Sequence, residues 1–387
     1  MPKHSNKKRS SPKKTSPKKK TSNKRNRYSH VKTGQTVIFK NGACAKRQSN
    51  GQFRFVKRTS CKKSKRGGAP GDGRPGKVPK SSSDKKTRAI EIFLEKYNID
   101  AVDFLRGIMY SKNLGDEGVA ELVKIIPEGL TVIGLEGNQI GDEGVKVLSQ
   151  NLPNIHGLRN LKLYDNQISD KGVRSLAENL PLGLEELGLG SNQLGDEGVR
   201  VLSQNLPNIH GLTRLDLGGN RIGDEGVESL AVIIPAGLKS LWLEDNQIGD
   251  RGARSLAVNL PAGLELLLLS DNQIGDEGIE SLAVNLPAGL KELSLSDNQI
   301  GDRGVRTLAV NLPAGLKDLS LSDNRIGDEG VKVLSQNLPN IHGLTRLDLG
   351  GNQIGDEGAR SLAVNLPAGL ELLLLSDNQI GDEILGF

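Results

Sequence analysis

The sequence predicts an α/β solenoid, and three observations carry that prediction. One phrase returns at steps of 25 to 28 residues from Leu105 to the C-terminus, and self-similarity at such a period is typical of stacked repeats. Each copy opens with apolar residues at every second position and continues with apolar residues three or four apart, which are the patterns of a strand and a helix. A single copy has too little apolar surface to offset the entropy lost on ordering, so neighbouring copies must pack together.

The strand of each copy is specified by alternation. In the copy that starts at Leu264, the side chains of Leu264, Leu267 and Leu269 are predicted to face the core, because alternate residues of a strand point to opposite faces. Leu266 and Leu268 are then predicted to point outward.

The second half of each copy predicts a helix. Ile279, Leu282 and Leu286 have helical spacing, Asp276 is expected to cap the helix N-terminus, and Pro287 is expected to end the helix. The glycine after each acidic pair is expected to permit a close contact between helix and sheet; this group includes Gly144, Gly198, Gly278 and Gly330.

A recurring asparagine separates the two halves of each copy. An amide side chain carries donors and an acceptor, so it can satisfy several buried backbone groups in a tight turn that lack strand partners. We therefore predict a structural column formed by Asn113, Asn138, Asn166, Asn192, Asn220, Asn246, Asn272, Asn298, Asn324, Asn352 and Asn378.

The phrase L-x-x-L-x-L-x-x-N-x-I, followed by G-D-E-G, resembles the leucine-rich repeat family, and within it the ribonuclease-inhibitor-like type, over about residues 105–387. The resemblance implies a horseshoe with parallel strands on the concave face and helices on the convex face. Strands stack about 4.8 Å apart and helices about 8–10 Å apart, which gives the same curvature. It also implies that the concave face binds a large partner.

Charge divides the chain into two parts. Residues 1–88 hold 29 of the 52 Lys and Arg but 2 of the 46 Asp and Glu, a net charge of +27, which leaves −21 for the remainder. The basic part predicts a polyanionic partner, DNA or RNA, bound through residues 1–86. Two cysteines and no long apolar run predict an intracellular chain without membrane span or signal peptide, located in the nucleus or at a viral DNA or virion site rather than secreted.

The basic part divides further. Residues 1–31 predict a disordered tail, whose two Ser-Pro-Lys-Lys phrases resemble those of histone tails. That resemblance implies nucleic-acid contacts by five tail lysines, with a nuclear-import signal or a merely solvated tail as the alternatives. The five tail lysines are Lys13, Lys14, Lys18, Lys19 and Lys20.

Four further regions follow the tail. Residues 32–62 predict a small basic β meander, which loosely resembles basic modules of large DNA virus proteins. Residues 63–86 predict a flexible linker, residues 87–104 an N-terminal cap, and residues 105–387 the solenoid. Cys44 and Cys61, in or beside the meander, are interpreted as free thiols, with a disulfide as the alternative. The C-terminal end is covered either by Leu385 and Phe387 or by another chain.

The outward strand positions vary while the frame does not, so the partner surface is predicted there. Trp242 is predicted to lie beside Leu266 and Leu268 and to face solvent, which marks an interface; an unused surface is the alternative. An aspartate column before the asparagines predicts a cationic partner, either another protein or the chain's own tail folding back, or, more simply, a solvated turn. The candidate partner-binding residues are Trp242, Leu266, Leu268, Tyr164, Leu372, Leu374, Asp245, Asp271 and Asp297.

The repetition argues against an enzyme. Residues 246–274 and 352–380 differ only at Arg251 and Glu357, whereas catalysis needs unlike residues that converge once. No nucleophile and base are paired, and neither a cofactor nor a metal is expected. The sequence therefore predicts a non-enzymatic adaptor for an unidentified protein. The resemblance to the leucine-rich repeat family implies two alternatives, a small-GTPase regulator or an inhibitor of the ribonuclease-inhibitor-like type.

Overall fold

The computed structural model describes residues 82–127 and 129–381, together with the backbone of three short strands. These strands, β1 (Thr36–Ile38), β2 (Cys44–Arg47) and β3 (Phe53–Phe55), form an antiparallel sheet in the order β1-β2-β3. The predictions for the tail and its five lysines, for Cys61, for most of the linker, and for Leu385 and Phe387 lie outside the described residues.

The array is one open parallel sheet whose ten strands alternate with helices along the chain, which confirms the predicted α/β solenoid. The strands are β4 (Val132–Gly134), β5 (Asn160–Lys162), β6 (Glu186–Gly188), β7 (Arg214–Asp216), β8 (Ser240–Trp242), β9 (Leu266–Leu268), β10 (Glu292–Ser294), β11 (Asp318–Ser320), β12 (Arg346–Asp348) and β13 (Leu372–Leu374). The helices are α1 (Ser82–Lys96), α2 (Ala101–Arg106), α3 (Gly115–Leu122), α4 (Asp142–Asn151), α5 (Asp170–Ala177), α6 (Asp196–Ser203), α7 (Asp224–Ala231), α8 (Asp250–Ala257), α9 (Asp276–Ala283), α10 (Asp302–Asn311), α11 (Asp328–Asn337) and α12 (Asp356–Ala363). None of the described helices is long and apolar enough to span a bilayer.

The strand register places equivalent positions of adjacent coils side by side. Leu267 pairs with Leu241 on one side and with Leu293 on the other, and all three side chains are buried. Leu266 and Leu268 point to the other face and are only half-buried. The inward leucines of successive coils therefore form one continuous core, as the alternation predicts.

The asparagines join each coil to the one before it. The Nδ2 atom of Asn272 donates to the carbonyl oxygens of Leu269 and Ser270 in its own coil and to that of Leu243 in the preceding coil, at 3.2, 3.0 and 2.9 Å. Its Oδ1 atom accepts from the backbone N–H of Ile248, also in the preceding coil, at 3.0 Å. One side chain thus satisfies four backbone groups across two coils, which confirms the predicted structural role.

The first coil departs from the prediction in two ways. Asn113 is exposed and accepts only a side-chain hydrogen bond, from Gln139, because the segment between it and the following Gly-Asp-Glu-Gly is one residue shorter than in other coils. Its predicted place in the asparagine column is therefore wrong. The predicted strand start at Leu105 is also wrong: Leu105 lies in α2, which ends at Gly107 with φ of 76°, and the coil contributes a single bridge from Ile108 to Gly134.

The N-terminal cap begins earlier than the sequence indicates. Helix α1 starts at Ser82, within the segment predicted as linker, and Phe93 of α1 is buried against Phe104 of α2 with ring centroids 6.2 Å apart. These aromatic side chains cover the end of the first coil, which would otherwise expose its leucines. The other predicted domain boundaries stay predictions.

The helix caps act between coils rather than within them. Asp276 is the first residue of α9, whose cap residue Gly275 offers no side chain. Asp250 of the preceding coil caps α9 instead, because its Oδ1 accepts from the backbone N–H of Gly275 and of Gly278 at 2.7 and 2.9 Å. Asp276 in turn caps the next helix, so its predicted role within its own helix is wrong.

The glycine of each Gly-Asp-Glu-Gly phrase makes room for this cap. A Cβ atom at Gly278 would lie 2.7 Å from Oδ1 of Asp250 and 2.9 Å from a methyl carbon of Ile274. The predicted close contact exists, but its partner is the helix start of the preceding coil and not the sheet.

Replacing Asn272 with alanine tests the asparagine column. The change removes four hydrogen bonds and leaves buried backbone groups unpaired, so we expect a loss of roughly 2–4 kcal/mol of stability, centred on the coils of β8 and β9. Urea unfolding followed by circular dichroism measures the loss, and amide hydrogen exchange locates it. Gln273→Ala, at an exposed neighbouring position, should change little. Equal effects of the two substitutions would contradict the structural role.

Candidate protein-binding face

The structure brings the first group of predicted partner-binding residues together. Strand β8 pairs with β9, so Trp242 lies beside Leu268, and Ser240 lies beside Leu266. The three large side chains are half-buried on the outward face of the sheet, which forms the concave side of the array. Leu372 and Leu374 lie on β13, four strands away, and Leu372 is 42% exposed. They form a separate patch.

Tyr164 follows β5 and does not reach the group around Trp242. A Cβ atom at Gly188 would lie 2.1 Å from the Tyr164 ring, so the glycine allows the ring to lie over the neighbouring strand. Burial raises the pKa of the Tyr164 hydroxyl, and nearby carboxylates, with Asp216 first among them, add to the shift. The neutral phenol therefore persists well above physiological pH.

We call four carboxylates on the same face, those of Glu136, Glu186, Asp216 and Glu244, the inner acids. The first three act on the Tyr164 hydroxyl, whereas Glu244 lies further along the face, near Asp216. Burial raises the pKa of Asp216 to about 6, although the backbone N–H of Gly218 opposes the shift. Burial also raises the pKa of Glu244 to about 7, and repulsion from Asp216, Asp245 and Asp271 contributes. Both side chains thus change charge close to neutral pH.

Glu186 differs from the other inner acids because side chains donate to it. Its carboxylate is 2.8 Å from Nζ of Lys162 and accepts a short hydrogen bond from Nδ2 of Asn160. Burial works to raise the pKa of Glu186, but these donors outweigh burial and lower it. By contrast, Oε2 of Glu136 and Oε2 of Glu244 are buried without a hydrogen-bond partner in the described part of the chain.

The aspartate column has a backbone cause. Asp245, Asp271 and Asp297 are exposed and have φ between 50° and 53°, the left-handed region that aspartate, asparagine and glycine tolerate best. The equivalent residues Gly219 and Gly351 are glycines with the same sign of φ. Conformation therefore explains which residue types occur here, and the carboxylates are an additional negative rim along the concave face. Burial and repulsion from its two neighbours raise the pKa of Asp297.

The sequence analysis did not single out the inner acids as a group. A partial signal exists, because Gly190 and Gly218 occupy outward positions one coil before Asp216 and Glu244. A Cβ atom at Gly190 would lie 2.7 Å from Asp216 Oδ1, and one at Gly218 would lie 2.8 Å from the Glu244 carboxyl carbon. A glycine that is followed one repeat later by an acidic residue thus indicates a carboxylate that lies against the glycine of the preceding coil. Within residues 82–127 and 129–381, no group of three or more His, Cys, Asp or Glu could hold a metal ion.

Three comparisons place this geometry among known proteins. The family model described as "Leucine Rich repeat" matches residues 130–149, 157–177, 184–203, 210–231, 238–257, 264–283, 290–309, 316–335 and 342–363. No curated protein sequence matches the chain.

Solved structures with a similar fold include an internalin from Listeria monocytogenes, with 23% identity and a TM-score of 0.39, covering 70% of this chain and 91% of that one. An octameric complex of Latrophilin 3, Unc5D and FLRT2 has 22% identity and a TM-score of 0.40, covering 65% and 77%. A plant ice-binding protein has 22% identity and a TM-score of 0.41, covering 67% and 76%.

Glu244 should make stability depend on pH. Since its folded pKa is raised above the ordinary value, the protonated form is the one that favours folding, and ionisation as pH rises through about 7 costs stability. We expect Glu244→Gln to stabilise the array by roughly 1–2 kcal/mol at pH 8, allowing for solvent screening, and to have little effect at pH 5.

Thermal unfolding at both pH values measures the difference. Glu329→Gln, on the exposed surface of α11, is the matched control and should show no such pH dependence. A stabilisation by Glu244→Gln that is equal at pH 5 and pH 8 would show that ionisation is not the cause.

The nine matched segments follow one another from β4 to α12 and coincide with strand, asparagine turn and helix in each of these coils. The chain is a leucine-rich repeat protein.

Proposed function

We propose that the protein is a non-enzymatic adaptor whose concave face binds another protein through the group around Trp242. The observation that carries the proposal is the cluster of three large apolar side chains, half-exposed on adjacent strands of a rigid sheet. Leucine-rich repeats generally mediate protein–protein interaction, and contacts centred on tryptophan often dominate such interfaces.

The arrangement around these residues supports recognition rather than catalysis. Strand pairing holds the backbone of Trp242 and Leu268, so little backbone entropy is lost when a partner covers them. The inner acids and the aspartate rim lie beside the apolar group and would orient a partner that carries positive charge. A partner with an apolar centre and basic surroundings fits this face best.

The concave face is tested by a double substitution, Trp242→Asp with Leu268→Asp. Both changes place charge in the centre of the proposed interface, so we expect binding of the main partner to fall at least tenfold. A pull-down from cell extract, with the retained proteins quantified, measures the loss. If the protein lost from the pull-down is a small GTPase, the regulator alternative is favoured. If it is a hydrolytic enzyme, the inhibitor alternative is favoured. Both would bind through the same face.

The chain offers a matched control for that experiment. Val258 and Val284 directly follow helices α8 and α9 as their C-cap residues and are 69% and 62% exposed. Val258→Asp with Val284→Asp adds the same charge to the same two coils but away from the strand face, and should leave binding intact. If both double variants lose partner binding equally, or if both retain it, the interface does not centre on Trp242.

We also propose that residues 1–86, which we call the basic arm, attach the adaptor to nucleic acid. The support is compositional: residues 1–88 carry a net charge of +27, with lysines on either side of Ser-Pro phrases. Mobile cations of this kind neutralise phosphates and release counterions. The expected location, intracellular and nuclear or at a viral DNA site, follows from this proposal and shares its test.

Nucleic-acid binding by the full chain should depend steeply on salt. Replacing the five tail lysines with serine should reduce the slope of log affinity against log salt by up to about 4 for duplex DNA. Fluorescence anisotropy at several salt concentrations measures the slope. Serine substitutions at five lysines of the array should change it little; these are Lys124, Lys146, Lys171, Lys291 and Lys332. A shallow slope in the unmodified chain would remove the arm from this role.

A further inference from the structure

The concave face is electronegative from β4 to β9. The inner acids lie on or directly after β4, β6, β7 and β8, and the exposed carboxylates of Asp245 and Asp271 border the same strands. Lys162 and Arg214 are the basic side chains near Glu186, and Lys162 is paired with it. Charge on this stretch of the face is therefore only partly balanced by the described residues.

Two atoms on this stretch are unsatisfied as well as negative. Oε2 of Glu136 and Oε2 of Glu244 are buried and have no hydrogen-bond partner within the described part of the chain. The protein covers both oxygens, so a cation on this face would offset the charge of these carboxylates through space rather than by a direct hydrogen bond. Glu244 also experiences repulsion from Asp216, which a cation between them would offset. The face fits a lysine- or arginine-rich segment.

The chain itself supplies such a segment next to this face. Residues 1–35 contain 13 Lys and Arg and no Asp or Glu. They precede β1. Strand β3 of the same small sheet lies close to α1 and α2 at the N-terminal end of the array, and β4 is the first strand of the array from that end. An extended segment of 35 residues spans up to about 115 Å, whereas β4 to β9 covers about 24 Å at the usual strand spacing.

We propose that residues 1–35 dock in cis along the concave face from β4 to β9, with their cations over the inner acids and lysine stems against Trp242. This docking goes beyond the proposed function, because it makes residues 1–35 a ligand of the array in the same chain. A protein partner must displace the arm, and a polyanion must compete with the inner acids for the same lysines.

The single tryptophan of the chain reports on this contact without any partner present. Acrylamide quenching of Trp242 in the full chain should be weak at 50 mM salt and about twofold stronger at 500 mM, because salt screens the docking charges. Two variants should show strong quenching at every salt concentration: serine at the five tail lysines, and Asp216→Asn with Glu244→Gln. The changes lie on opposite sides of the proposed contact, so their agreement excludes a purely local effect on the indole.

A control variant separates docking from net charge. Serine at five basic positions after strand β3 removes the same charge from a segment that is not proposed to dock, and should keep the salt dependence of the unmodified chain; these positions are Lys57, Lys62, Lys63, Lys65 and Lys77. Circular dichroism confirms that each variant is folded.

Three outcomes would overturn the proposal. Quenching that ignores salt in the unmodified chain shows that the tail does not cover Trp242. A control variant that behaves like the tail variant shows a general charge effect. Quenching that depends on protein concentration shows contact between molecules rather than in cis. DNA binding is a separate measurement. The Asp216→Asn, Glu244→Gln variant should bind duplex DNA three- to tenfold more tightly than the unmodified chain. If no variant and no unmodified chain binds DNA, the proposed attachment to nucleic acid is wrong, but the docking proposal is not affected.

Discussion

The hydrogen bonds of the asparagine column are the interaction on which the rest of the array depends. Each strand is only three residues long, so the chain turns away from the sheet before its backbone groups can all find ladder partners. Asn272 and its equivalents satisfy those groups in their own coil and in the preceding one. Because one side chain bridges two coils, the spacing between coils is fixed at the turn, and the leucine core and helix starts follow the same spacing.

The cap of each helix extends the same principle to the convex side. Asp250 serves the helix of the next coil, and Gly278 leaves room for its carboxylate. Neighbouring coils therefore supply hydrogen bonds to both edges of a coil. The asparagine of the following coil bonds to the turn after the strand, and the aspartate of the preceding coil bonds to the start of the helix. An isolated coil would lack partners at both edges, which is a polar reason for cooperativity in addition to the burial of leucine.

Repetition decides which features the sequence could predict. The inward leucines, the asparagine role and the order of strand and helix recur in each coil, and each follows from periodicity or from the chemistry of one side chain. The cap was misassigned because every coil carries the same aspartate, so the sequence cannot distinguish a cap within a coil from one between coils. Asn113 was misassigned because one missing residue shifts it onto the position of Gln139. Asp216 and Glu244 were missed because the space that their carboxylates occupy is left by glycines one repeat away, Gly190 and Gly218.

The two nearly identical coils show why the binding surface belongs to neighbours and not to single repeats. Leu266 and Leu268 have the same surrounding sequence as Leu372 and Leu374, yet β8 places Trp242 beside the first pair, whereas β12 places charged residues beside the second. Arg346 there is paired with Asp318 and Asp348, so the second pair borders a neutralised surface. Since strand pairing fixes which outward residues meet, a duplicated coil acquires a new surface from the coil it is placed against. Specificity in this array therefore resides at the boundaries between coils, and the boundary of β8 with β7 and β9 combines an indole, two leucines and carboxylates with raised pKa.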